Sequence, residues 1–281
     1  SIVLKDGIIS GVSLQDGSVI EADRVILATG GRSYPRTGSD GDGYRMAQAL
    51  GHTVTALRPS LVPLITEETT PAQMEGLPLK NVTLTIKKDG KKIFSDFGEM
   101  VFTAKGISGP LVLSASAHLG VKKHTYPYQA FIDLKPALDM DTLDKRLLRD
   151  FEENINRDFA NALSNLLPAK MIPVMIEMCG ISSRQKVNTI TRAQRENLCN
   201  LLKAFPFTVV ATGSWDEAVV TAGGISVKEI DPKTMASKLI PGLYFAGEVM
   251  DVDAYTGGFN LQIAWSTGYC AGQAAAEGEE R

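Results

Sequence analysis

Cysteine is scarce in this 281-residue sequence: Cys179, Cys199 and Cys270 are far apart, with no Cys-x-x-Cys pair and no Cys/His cluster at metal-ligand spacing. That pattern excludes a structural zinc. It also excludes electron transfer through an adjacent redox disulfide, which needs two thiols placed to form and resolve a mixed disulfide. Isolated thiols in odd number suit a reducing, cytoplasmic setting. No run approaches the roughly 18 apolar residues that cross a bilayer, so no membrane partner is expected. There is no basic tail, and a formal charge of -3 argues against nucleic acid, which is gripped by clustered Lys and Arg. A strand followed by a Gly-x-Gly-x-x-Gly turn is missing, since Gly38, Gly41 and Gly43 have the wrong spacing. The chain starts at Ser1 with neither a methionine nor a signal segment and runs directly into strand-like sequence, so it reads as a piece of a longer polypeptide. His52, His118 and His124 have no partner at catalytic spacing and are assigned no role.

The Asp6-Gly7 and Asp16-Gly17 turns separate apolar runs at 2–4, 8–14 and 19–20, which reads as a β-meander. Val25 to Gly31 is a short apolar run closed by glycines, as a buried parallel strand reads. Ser39 and Asp40 are candidate N-caps for a helix over 41–50 with Tyr44, Ala47 and Leu50 on one face. Strands follow at 82–86, 91–94, 100–103 and 128–134, with Asp89-Gly90 as a hairpin turn. Between about 141 and 205 the pattern is helical: Leu143, Leu147, Phe151 and Ile155 recur every four residues, Pro168 suits a first turn, and Thr191 with Gln194 matches a capping box. A last helix is predicted over 260–276.

Two segments carry chemistry. Ala28, Thr29, Gly30 and Gly31 end a buried strand where a backbone without Cβ lets a ligand approach. Gly247 and Glu248 end a second such strand, delivering a carboxylate where ligands bind in open α/β sheets and where it can accept from sugar or ribitol hydroxyls. After Asp251 and Asp253, Gly257 and Gly258 open a helix through Asn260 and Leu261 whose first amides favour negative charge, such as a reduced flavin carries near N1. Ala264, Gly268, Ala271, Gly272 and Ala275 would bring that helix close to the sheet. Weaker candidates are Phe102-Thr103 with Lys105 to Pro110 as a loop near the cofactor, Arg32 and Arg36 as substrate or phosphate anchors, and Tyr255 as a proton donor.

Five ordered stretches, Val25-Ile-Leu-Ala-Thr-Gly-Gly-Arg-Ser-Tyr-Pro35, Gly38-Ser-Asp-Gly-Asp-Gly-Tyr44, Pro59-Ser-Leu-Val-Pro-Leu64, Phe102 to Pro110 and Gly242 to Gln262, resemble the BaiN/YhiN-type family of FAD-dependent oxidoreductases across essentially the whole chain. The family's Asp-Val-Asp-Gly-x-Thr-Gly-Gly reads Asp251-Val-Asp-Ala-Tyr-Thr-Gly-Gly258, with Ala254 in place of glycine. The resemblance implies an α/β chain (α+β overall). It would be a partial glutathione-reductase-type, Rossmann-like FAD-binding domain at 1–56 and 226–281. That domain is interrupted by a β-barrel-like insert (57–140, returning at 206–225) and a helical insert (141–205), and it lacks the upstream Gly-x-Gly-x-x-Gly segment. It further implies hydride transfer from NAD(P)H through FAD to a small organic acceptor or oxygen. The alternatives are a flavin- or nucleotide-binding protein without turnover, and a flavin-dependent RNA-modifying enzyme, which shares the split fold.

Overall fold

The computed structural model describes residues 1–120 and 125–277; His124 lies outside them. The two Asp-Gly turns fold the start of the chain into an antiparallel meander of β1 (Ile2–Lys5), β2 (Ile8–Ser13) and β3 (Val19–Glu21). Asp6 and Gly7 both take positive φ, 54° and 80°, the left-handed pair that a two-residue hairpin requires. After β4 (Val25–Leu27) comes α1 (Asp42–Ala49), which buries Tyr44 and Ala47. Its N-cap is Gly41, not Ser39 or Asp40. Asp40 acts from one residue further out, its Oδ1 accepting the Asp42 N–H at 3.0 Å.

The chain continues through β5 (Arg58–Ser60), β6 (Leu64–Thr66), α2 (Thr70–Gln73), β7 (Pro78–Lys88), β8 (Lys91–Thr103), β9 (Gly106–Ser108), α3 (Pro110–Ser116) and β10 (Tyr128–Asp133). Then follow α4 (Met140–Glu152), α5 (Phe159–Ala162), α6 (Met171–Cys179), α7 (Arg192–Lys203), β11 (Phe205–Thr212), β12 (Val220–Ala222), β13 (Leu243–Phe245) and α8 (Phe259–Glu277). Two compact units result, residues 1–62 with 213–281, and residues 63–212.

In the first unit β13 runs parallel to β4, Leu243 opposite Val25, and β12 runs antiparallel to β5. β12 lies in the stretch read from sequence as the return of the β-rich insert, yet it pairs within this unit. Leu27, Ala47, Leu243, Phe245 and Val249 share one core with Ala271 of α8. The small residues of α8 do not all serve close packing. Ala271 is wholly buried, but a Cβ at Gly268 or Gly272 would meet nothing within 4 Å. Leu261, Trp265 and Tyr269 are 58–66% exposed. The β4–β13 sheet is only two strands wide, too narrow to cover a helix of 19 residues.

In the second unit six strands close a barrel in the order β10-β11-β6-β9-β8-β7. Period-two alternation sends Val82, Leu84 and Ile86 inward. Sequence suggested two short strands over 91–103; the structure has one, because the long partner β7 carries pairing through the polar stretch between them. Phe102 is barrel core rather than loop, and Pro110 is the first residue of α3. Leu143 and Leu147 are buried under α4, but the helix stops at Glu152, so Ile155 falls beyond it and is exposed. Pro168 precedes α6 by a turn, its carbonyl accepting the Met171 N–H at 2.9 Å.

The capping box forms as the sequence predicts: Thr191 Oγ1 accepts the Gln194 N–H at 3.2 Å and Gln194 Oε1 accepts the Thr191 N–H at 2.9 Å. Thr191→Ala should therefore lower the unfolding free energy by about 1 kcal/mol in urea titration, whereas Thr191→Ser should keep most of it.

Candidate functional site

β13 is Leu243-Tyr244-Phe245, buried at every position, and after the still buried Ala246 the chain turns sharply through Gly247, whose φ is 74°. The side chain of Glu248 that follows is half-buried. Its Oε1 accepts the Thr221 N–H at 2.6 Å. Thr221, wholly buried on β12, accepts the Arg32 N–H through Oγ1 at 2.8 Å, and that oxygen lies 2.9 Å from Ser33 Oγ. The ends of β4, β12 and β13 are thus tied at one point. A Cβ at Gly31 would strike both Glu248 Oε1 and Thr221 Oγ1, so a larger residue there would have to displace the tie. Burial raises the Glu248 carboxyl above its ordinary range against the pull of the Thr221 hydrogen bonds, and the Asp253 charge adds to the rise. Burial, then the Glu248 charge, pushes the Tyr44 phenol to about 12.

A cavity of about 430 Å³ opens beside this tie. Glu248, Tyr255, Gly257, Gly258, Asn260 and Leu261 line it together, as do the apolar Leu61, Val219, Val220, Val252 and Ile263. The volume lies in the usual range of ligand pockets. Gly258 closes the first turn of α8 through its carbonyl, which accepts the Gln262 N–H at 3.0 Å, leaving the amides before it without helical partners. The Asn260 side chain is spent on the preceding loop: Oδ1 accepts the Ala254 N–H at 2.9 Å and Nδ2 donates to the Ala254 carbonyl at 2.8 Å. With that clamp in place the loop closes although residue 254 is alanine.

Ala28, Thr29, Gly30, Gly31, Gly247 and Asp253 are not among the cavity's walls. Thr29 packs its hydroxyl against Gly43, Gly247 donates its N–H to Thr267 Oγ1 at 2.9 Å, and Asp253 accepts from Ser60 Oγ at 3.1 Å. Arg32 stacks over Trp215 at 5.2 Å and lines a separate polar cleft with Asp40 and Arg45, while Arg36 lies 3.9 Å from Asp216 in solvent. Sequence reasoning missed Leu61, Val219, Val220 and Thr221. The signal was present: Val219-Val-Thr-Ala-Gly-Gly224 repeats the apolar run closed by glycines seen at Val25 to Gly31.

A second polar constellation has the outline of a catalytic triad and a different purpose. His52 Nδ1 lies 3.1 Å from Glu229 Oε2, and Nε2 lies 3.0 Å from Ser237 Oγ. Ser237 Oγ already accepts the N–H groups of Leu239 and Ile240, at 3.0 and 2.8 Å, so its proton must point at His52 Nε2. The imidazole is then the neutral Nδ1–H tautomer, buried edge-on to Phe245, and the hydroxyl has no lone pair for attack. It locks the segment before β13. Among the described residues no group of three or more His, Cys, Asp or Glu side chains could hold a metal, and no helix is long and apolar enough to cross a membrane.

This arrangement, a parallel strand pair feeding an acid and a glycine-opened helix to one cavity, is that of a Rossmann-type cofactor domain. Residues 1–274 match the HI0933-like protein Rossmann domain, and the chain belongs to that family. It is 35% identical over 266 residues to the 3-dehydro-bile acid delta(4,6)-reductase of Clostridium scindens, covering 93% of this chain and 64% of that protein. It is 34% identical over 255 residues to the ribosomal RNA dihydrouridine synthase of Haemophilus influenzae, covering 89% and 60%, and 28% identical over 258 residues to that of Escherichia coli, covering 92% and 62%. The chain therefore spans about three-fifths of the length of these curated relatives.

A carboxyl whose pKa is raised on folding prefers to be protonated in the native state. The stability this gives is present below its ordinary pKa of 4.5 and is lost as pH rises through the elevated value. Glu248→Gln, which keeps the acceptor for Thr221, should match the wild type in acid and melt at higher temperature at neutral pH. Equal melting temperatures at both pH values would show that the carboxylate carries no burial cost.

Proposed function

We propose that this chain holds the flavin of an FAD-dependent reductase that saturates a carbon–carbon double bond in a ring. The observation that carries the reading is the convergence of a half-buried carboxylate, Glu248, and the glycine-opened start of α8 on one largely apolar cavity. These residues suit FAD. Glu248 would accept from ribityl hydroxyls, the free amides of α8 would favour the negative charge of a reduced ring, and Leu61 and Val220 would give it apolar contact. Ala28 to Gly31 and Asp253 do not line the cavity; Gly31 leaves room for Glu248 and Thr221, and Asp253 holds Ser60. FAD held here would supply two-electron chemistry, with NAD(P)H as the donor. Tyr255, on the cavity rim and 42% exposed, donates the proton that completes reduction of the acceptor.

The choice of acceptor rests on chemistry shared by the relatives. A delta(4,6)-reductase and a dihydrouridine synthase act on different molecules, a steroid acid and an RNA base, yet each name describes saturation of a ring double bond. The relatives also exceed this chain in length, and the uncovered face of α8 beside the two-stranded sheet leaves room for more of a doubly wound layer.

Titration with FAD should produce an absorbance band near ~450 nm. That band should bleach with NAD(P)H in the absence of air and recover on adding a cyclic enone. Tyr255→Phe should retain FAD affinity and lose about 100-fold in turnover. A protein that never takes up FAD, or one that recovers only with oxygen, would sink the proposal.

A further inference from the structure

The formal charge of -3 is an average over two units of opposite sign. Residues 63–212 carry 19 Lys and Arg against 16 Asp and Glu, while the other unit carries 10 against 16. Within residues 63–212 lies a cavity of about 650 Å³ whose charged walls, Lys80, Lys135 and Arg146, are all basic. Phe97, Leu134 and Leu138 are among its apolar walls.

The fold holds these walls in place. Lys80 belongs to a bulge in β7: Leu79 pairs with Met100 and Val82 with Gly98, so Lys80 and Asn81 together oppose Glu99 alone. Asn81 takes a φ of 56° there, in the left-handed region that Asn enters more readily than most residues, and such a bulge re-aims the side chains beside it. The loop after β10 is clamped by Lys203, whose ammonium lies 2.6 Å from Asp133 Oδ2 and donates to the Lys135 and Leu138 carbonyls at 3.1 and 2.6 Å. Asp133 Oδ1 in turn accepts the Lys135 N–H at 2.9 Å. The acid and carbonyls of this loop are therefore spent on Lys203 and the backbone.

The cations of the cavity have no such compensation. Among the described residues neither Lys80 nor Lys135 has an ion-pair partner, and Glu99, opposite the bulge, pairs with neither. Burial lowers the pKa of the Lys135 ammonium, and the Arg146 charge lowers it further. Arg146 Nε is buried without a hydrogen bond; Asp150 Oδ2 stands 3.5 Å away, and Asp150 is shared with Arg149 at 3.3 Å. An anion entering here would offset the like-charge repulsion and give the buried donor an acceptor. Three cations suit a dianion, a guanidinium fork matches phosphate oxygens, and a phosphate monoester carries about -1.5 to -2 charges at neutral pH. Phe97, 57% exposed, offers its ring to an apolar group joined to that phosphate.

We propose that this cavity binds a small organic phosphate, its dianionic head held by Lys80, Lys135 and Arg146 and its apolar body resting on Phe97. The site lies wholly within residues 63–212 and is independent of the cofactor reading. The test is calorimetric titration of the full chain with phenyl phosphate, inorganic phosphate and benzoate. Phenyl phosphate should bind about 10-fold or more tighter than either of the others, since each lacks one half of the recognition. Joint Lys135→Gln and Arg146→Gln substitution should weaken phenyl phosphate by about 10-fold or more, while Lys135→Arg should keep its affinity, which separates charge from folding. Phe97→Ala, on the exposed side of the strand, should weaken phenyl phosphate and leave inorganic phosphate unchanged. Gln at Lys91 and Lys92, outside the cavity, should alter neither. Absence of phenyl phosphate binding by the wild type would overturn the proposal, as would wild-type affinity in the double Gln variant. Benzoate binding as tightly as phenyl phosphate would remove the dianion, and inorganic phosphate doing so would remove the apolar body; either result also overturns it.

Discussion

The first unit depends on one charge-assisted hydrogen bond, from the Thr221 backbone to Glu248 Oε1. It costs the carboxylate part of its hydration, as the raised pKa records, and in return it pins three strand ends that come from distant parts of the sequence. Arg32 and Ser33 join through Thr221 Oγ1, so the loop after β4 is placed by a side chain nearly 190 residues away. The cavity wall follows: once Glu248 is anchored, the chain must turn at Gly247 and run through Asp251 and Asp253 to the start of α8. A side chain at position 31 would push Glu248 and Thr221 apart.

Around this tie the polar groups are satisfied locally. His52, Glu229 and Ser237 form a closed relay whose hydrogen-bond count leaves no reactive hydroxyl, which shows how little the outline of a triad says without that count. Asn260 plays a comparable part in the loop before α8. The second unit relies on a different principle: six strands close into a barrel around an apolar core, with β8 paired to β7 along most of its length and to β9 only over 101–103.

Local chemistry made much of the fold readable in the sequence. Asp-Gly pairs announced the hairpins, period-two alternation announced β7, and Thr191 with Gln194 announced the start of α7, because each feature is settled by a few neighbouring residues. Predictions failed where partners came from afar. The middle of β8 is strand because β7 lies beside it, Ile155 is exposed because α4 ends early, and Gly268 and Gly272 of α8 meet open space because the sheet is narrow.

The candidate site divides along the same line. Glu248, Gly257 and Gly258 were visible in the sequence, since an apolar run ending in an acid and a glycine pair opening a helix are contiguous patterns with a local physical meaning. By itself the sequence determined the strands, the turns and the family resemblance. Only the tertiary structure decided that Thr221 and Val219 belong with Glu248, that Ala28 to Gly31 are not among the cavity's walls, and that the unit of residues 63–212 is net positive within a net negative chain. Convergence of strand ends and segregation of charge depend on long-range pairing, which no window of sequence contains.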